Sequence, residues 1–211
     1  MSITLIIIIV TAVISFTAFN NQKIINDLIF YPPAITQQNQ WYRFITCGFI
    51  HADYIHLAFN MLSLYMFGEA VEKNFQYIFH TKGNTLYLML YFSALIVCLL
   101  PTYFKHKNDS YYRSLGASGA VSAVVFVGMF LFPTAKIGIF ILPPIIPGFI
   151  FAPLYLIMSW QLAKKGTDNI NHSAHIWGAL YGVVFFIIVS YALSDFNAIE
   201  NFTQEIINWL K

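Results

Sequence analysis

The sequence predicts an all-α fold, a polytopic membrane bundle of six transmembrane helices, and three observations carry that reading. Of the 211 residues, 58% are hydrophobic, 18% aromatic and only 9% charged, with a mean hydropathy of +0.66, far from the mix of a soluble domain. The apolar residues gather into six runs, each near the roughly 20 residues that cross about 30 Å of hydrocarbon. Inside lipid, backbone polar groups must pair within their own segment, which makes each run a helix.

The first run, Ile3 to Phe19, has no basic flank and is longer than the apolar stretch of a typical signal peptide, so it reads as a retained membrane helix. A long, polar and aromatic connection follows, Asn20 to Ile50, and connections of that length usually carry structure or function of their own. The second and third helices are expected at about 55–70 and 85–101. Between Thr102 and Ser114 lie Lys105, Lys107, Asp109 and Arg113, immediately before a glycine-rich turn that opens the fourth helix, 115–132. Pro133, Pro143, Pro144 and Pro147 then exclude a regular helix and place this connection at the membrane interface. The fifth and sixth helices are expected at 149–162 and 173–193. In the tail, 194–211, Ile199, Phe202, Ile206 and Trp209 fall near helical spacing, which fits an interfacial amphipathic helix or a frayed terminus. No internal repeat is visible, and residues 1–211 read as one domain.

A net charge of +2, with eleven Lys and Arg scattered between apolar runs, gives no basic face for nucleic acid. Cys47 and Cys98 have neither CxxC nor zinc-ligand spacing, so no disulfide, metal or cofactor is expected. The partner expected from composition is the lipid bilayer.

Polar groups inside apolar runs carry the chemistry, because burying them in a bilayer is expensive. Three stretches qualify: His51 to Met61, Leu115 to Ala120 and Asn171 to Gly182. Each opens a helix on the same side of the membrane, so their polar groups can meet at one depth. From Ser118 to Phe132 a helix spans only about 22 Å, so it must start below the membrane surface. Its first N–H groups then face a cavity with the positive end of the helix dipole behind them, a suitable place for an oxyanion. Gly116 and Gly119 permit close approach. Taken alone, this stretch reads equally well as a small-residue packing face.

His175 changes that balance, since a serine hydroxyl needs a base within hydrogen-bond reach. His175, Gly178 and Gly182 share one helical face, and a glycine face packs closely against another small-residue face. The fourth helix supplies one, with Gly116, Ser118, Gly119 and Ser122. His56 and Asn60, spaced i, i+4, could add side-chain donors to an oxyanion hole or serve only to bond helix to helix. His172 reads as a histidine bonded to a loop carbonyl.

His51, His56, Asn60 and Met61, then Gly116, Ser118 and Gly119, then Ala174 and His175 with Gly178 and Gly182, in that order, resemble the rhomboid family over nearly the whole chain. The resemblance implies a six-helix core and an intramembrane serine endopeptidase that cuts transmembrane segments of membrane-protein substrates with a Ser-His dyad. Carried over by position, Ser118 is the nucleophile and His175 the base. His56 and Asn60, with the Ser118 amide, form the oxyanion hole, supported by His51, Gly116, Gly119, Gly178 and Gly182. No cofactor is implied. Two positions depart from the family pattern: Ser122 stands where an aromatic ring commonly stacks on the histidine, and Tyr42-Arg43 stands where Trp-Arg is frequent. Imidazole orientation is then expected from another group, such as a hydroxyl.

Orientation divides the two kinds of reading. Loops on the side of the termini hold Lys73, Lys82, Lys136 and Lys211, whereas the other side holds Lys23, Arg43, Lys105, Lys107, Arg113, Lys164 and Lys165. Charge alone puts the termini outside. The resemblance implies cytoplasmic termini, and its motif set is more specific than that bias; the compact six-helix plan without an added helix suggests a bacterial inner membrane. Zinc and aspartyl proteases are disfavoured, since His-Glu-x-x-His and a buried aspartate pair are missing. The alternatives are a noncatalytic rhomboid-fold chaperone, which has little reason to keep both Ser118 and His175, and a transporter, which should show an inverted repeat.

Overall fold

The structure is a computed structural model that describes residues 1–139, 142–166 and 170–211. It is mostly helical. Helix α1 (Ile3–Phe19) leads into three short helices, α2 (Gln22–Leu28), α3 (Pro32–Gln38) and α4 (Arg43–Thr46), and then into the long α5 (Tyr54–Phe79). There follow α6 (Gly83–Val97), α7 (Leu100–His106) and α8 (Ser118–Leu131). A two-stranded antiparallel hairpin, β1 (Lys136–Ile139) and β2 (Leu142–Pro147), precedes α9 (Gly148–Lys165), α10 (His172–Leu193) and α11 (Ala198–Leu210).

Helix α8 is the centre of the bundle. Eleven of its 14 residues are buried, with α5, α6, α9 and α10 packed around it. Large apolar side chains point outward from the surrounding helices instead, among them Val13, Phe16, Tyr65, Met66, Ile157, Met158, Val184 and Ile188. An apolar exterior of this extent needs an apolar solvent. Two stretches, 54–106, which runs through α5, α6 and α7, and His172–Leu193, are long and apolar enough to cross a membrane.

Several boundaries differ from the sequence reading, each for a local reason. The second helix does not stop at 70 but continues to Phe79, because Val71, Phe75, Ile78 and Phe79 are buried and Glu72 has partners. Helix α6 ends at Val97 and a new helix starts at Leu100, since the ring of Pro101 clashes with the carbonyl four residues earlier. The fourth helix starts at Ser118 and not at 115, because Gly116 sits at φ +115°, a conformation that interrupts a right-handed helix. The proline-rich connection is the hairpin, with Lys136 opposite Pro147 and Ile137 opposite Ile146. The tail is helical: Asn201 Nδ2 donates to the Leu131 carbonyl at 3.3 Å, and Phe202 stacks on Phe130.

The first connection is folded. Buried Arg43 donates through Nη1 to the carbonyls of Asn26 and Ile29, both at 2.8 Å, and through Nε to Gln40. Phe30 and Ser114 exchange backbone hydrogen bonds, and Gly116 N–H donates to the Cys47 carbonyl at 2.9 Å. The loop is thereby tied to the chain entering α8.

Glu72 joins α1 to α5. Its carboxylate accepts from the N–H groups of Ile3 and Thr4 and from the Thr4 hydroxyl, all at 2.8 Å, and Tyr87 in turn donates to Thr4 Oγ1 at 2.7 Å. Two of the donors are otherwise orphan amides of a helix N-terminus. Glu72→Leu should leave them and the Thr4 hydroxyl unsatisfied, at a cost of about 3 kcal/mol. Thermal unfolding in detergent measures this, and an unchanged midpoint would show that α1 is not held there.

Candidate active site

Three helix starts converge at the head of α8. Asp53 caps α5, accepting from His56 N–H at 2.7 Å. Asn171 caps α10, its Oδ1 accepting from Ala174 N–H at 3.1 Å and from the Thr102 hydroxyl of α7 at 3.2 Å. No side chain caps α8 among the described residues, and its first intrahelical bond is Val121 N–H to the Ala117 carbonyl. The amides of its first turn are left for another acceptor.

Close packing of α8 on α10 is a consequence of glycine. A Cβ on Gly178 would lie 2.0 Å from the Gly119 carbonyl oxygen, and one on Gly182 would lie 2.4 Å from that of Ala123. Only backbone fits there. The glycine face thus meets Gly119 and Ala123; Ser122, expected on that face, instead neighbours Tyr155 of α9. With the helices this close, His175 Nε2 lies 2.7 Å from Ser118 Oγ. The other ring nitrogen, Nδ1, is 3.3 Å from the Tyr155 hydroxyl. Both members of the pair are partly accessible, and the His172 ring is 5.9 Å from that of His175.

His56 sits over Gly116. A Cβ on that glycine would lie 2.7 Å from His56 Cε1 and 2.9 Å from its Nε2, so a side chain at 116 would displace the ring. His56 Nδ1 accepts from Ala52 N–H at 3.4 Å, which leaves Nε2 to carry the proton and donate two residues from Ser118. Asn60 is buried one turn further along α5; one of its amide hydrogens goes to the His56 carbonyl at 2.9 Å and the second remains for another acceptor. His51 is a structural support. The Ser15 hydroxyl donates to the Phe49 carbonyl at 2.8 Å, so His51 Nδ1–H donates to Ser15 at 3.0 Å, and Nε2 accepts from Ala117 N–H at 3.4 Å. Burial, followed by the neighbouring His56 and opposed by Asp53, pushes its pKa down to about 3, which keeps Nε2 an acceptor.

A family model described as the rhomboid domain matches residues 38–192. The chain belongs to the rhomboid family. It is 31% identical over 145 residues to putative rhomboid protease YdcA of Bacillus subtilis, covering 68% of this chain and 64% of the relative. Against RHOMBOID-like protein 12, mitochondrial, of Arabidopsis thaliana it is 25% identical over 180 residues, 81% of this chain and 53% of the relative. Rhomboid protease GluP of Bacillus subtilis matches at 30% over 158 residues, 71% of this chain and 26% of that protein. The chain thus spans about half the length of the Arabidopsis relative, and less than two thirds of each of the three. Membership makes it an integral membrane protein, in agreement with its apolar exterior.

Within this rhomboid domain, Ser118, His175, His56, His51, Gly116, Gly119 and Gly178 lie around the head of α8, Gly182 packs further along it at Ala123, and Asn60 follows His56 by one turn of α5. Two residues escaped the sequence reading. Tyr155 lies in an apolar run with Ser159 one turn on, a polar i, i+4 pair that could have drawn notice. Glu72 was placed outside its helix, where an acidic residue needs no partner.

Proposed function

We propose that this rhomboid is an intramembrane serine endopeptidase that hydrolyses peptide bonds in or near transmembrane segments of other membrane proteins. The observation that carries the proposal is the 2.7 Å hydrogen bond from Ser118 to His175 Nε2 at an uncapped helix start. In this reading α1, α5, α6, α8, α9 and α10 are the six spans of a single domain, 1–211. Helix α8, with 14 residues, is about 21 Å long and so starts below the bilayer surface.

The substrate helix unwinds first, because an intact helix hides its peptide bonds. Ser118 Oγ then attacks the carbonyl carbon as its proton passes to His175 Nε2. The oxyanion formed is held by the α8 N-terminus, beginning with the Ser118 amide, and by His56 Nε2–H and Asn60 Nδ2–H. Collapse of this intermediate breaks the C–N bond, and His175 returns the proton to the leaving amine. Water, deprotonated by His175, hydrolyses the acyl-enzyme. Apart from substrate and water, these steps use side-chain and backbone groups of the chain. Asn60→Ala should lower kcat about 10²-fold while the other donors remain, and unchanged kinetics would remove Asn60 from the oxyanion hole.

Cytoplasmic termini in a bacterial inner membrane complete the proposal. Two of the seven basic residues that argue otherwise are committed to the folded loops: Arg43 binds carbonyls of the first connection, and Arg113 lies over the Tyr31 ring at 4.4 Å. Lys164 likewise lies over Trp160, at 3.6 Å. Such cations report local structure more than topology.

The test is to incubate the purified protein with single-pass membrane substrates and to sequence the product termini. Cuts within or beside the substrate's membrane segment support the proposal. Folded protein that leaves such substrates intact and whose Ser118 does not react with a fluorophosphonate overturns it.

A further inference from the structure

A neutral imidazole that accepts at Nε2 carries its proton on Nδ1. The Tyr155 oxygen, 3.3 Å from His175 Nδ1, is placed to accept that proton's hydrogen bond. The phenol hydrogen must then point elsewhere. The buried Ser122 and Ser159 side chains lie beside the phenol, on α8 and α9, where that hydrogen can be directed. Packing fixes the phenol ring: its centroid lies 5.6 Å from that of Phe126 and 6.1 Å from that of Phe151. Hydroxyls from α8 and α9 therefore back the imidazole at the nitrogen that does not face Ser118.

On the hydrolase reading above, we infer that Tyr155 is a positioning residue for His175, its hydroxyl holding the Nδ1–H tautomer and the ring angle at which Nε2 meets Ser118. Ring rotation is the freedom that matters. A histidine ring can swing about its Nε2 contact, and each departure from the Ser118 direction weakens proton transfer in the transition state. The Tyr155 contact at Nδ1 restricts that swing. The phenol oxygen also faces the Nδ1–H of the imidazolium formed during attack, so its contribution grows as the reaction proceeds. Substrate binding makes no use of this contact, which predicts an effect on kcat and not on KM.

The test compares wild type with Tyr155→Phe, which keeps the ring and removes the hydroxyl, and with Leu154→Ala, a change at an exposed position of α9 that leaves both ring and hydroxyl in place. Tyr155→Phe should lower kcat about tenfold with KM within about twofold, and should slow fluorophosphonate labelling of Ser118 by the same factor. Ser122→Ala should show a smaller loss that adds little in the double variant with Tyr155→Phe, because both act through one hydroxyl. Leu154→Ala should keep kcat within about twofold. Wild-type labelling together with a Tyr155→Phe variant of unchanged kcat, or a loss confined to KM, overturns the role of Tyr155 alone. Folded wild type that neither labels nor cleaves overturns the hydrolase reading and this inference with it.

Discussion

Ser118→Ala is expected to abolish fluorophosphonate labelling and to lower peptide-bond hydrolysis by about 10⁴-fold or more, with the thermal unfolding midpoint nearly unchanged. The size of the effect comes from chemistry, since removing Oγ removes the atom that bonds to the substrate carbonyl. The small effect on folding comes from position: Ser118 is only partly buried, and its hydroxyl is bonded to His175 and caps no helix. His175→Ala should cost about as much, and the double variant little more, because nucleophile and base act as a unit. Product formation by Ser118→Ala at a rate near that of wild type, in a preparation free of other hydrolases, would end the proposal.

Much of the site was legible because membranes make polar residues conspicuous. Ser118, His175, His56 and Asn60 stood out as groups that lipid does not tolerate without partners, and the Gly178 and Gly182 spacing pointed to the helix that meets them. What the sequence concealed were partners supplied from a distance in the chain. Tyr155 is 20 residues from His175, on a helix whose rotation no local pattern fixes. Glu72 was misplaced because a charge near the end of an apolar run looks like its boundary, whereas a helix N-terminus 68 residues away satisfies it. Helix ends were misjudged where one backbone feature decides them, as at Gly116 with its positive φ. Arg43 shows the converse error: counted as a topology signal, it is a buried staple of the first connection. Sequence reports that a group needs a partner, and the packing decides which one it has.

Gly178→Val is expected to lower activity by more than about 10³-fold, although residue 178 touches no reacting atom. A Cβ there would lie 2.0 Å from the Gly119 carbonyl oxygen, a backbone atom that cannot rotate away, so α10 must move off α8 by about 1 Å or more. Ser118 is the neighbour of Gly119, and His175 is one turn from Gly178 on the same face. The displacement is therefore applied almost directly to the 2.7 Å dyad contact. Misplacement by 1 Å costs about 10²-fold in positioning alone, and overpacking adds about 1 to 3 kcal/mol of destabilisation that depletes the folded population. The two losses separate experimentally: labelling rate per folded molecule reports the dyad, and the unfolding midpoint in detergent reports the packing. Leu180→Ala, two residues away on the exposed side of α10, should change neither by much. If Gly178→Val labels at the wild-type rate, backbone contact between these helices is not what aligns the hydroxyl with the imidazole, and some other restraint on α10 must hold the dyad together.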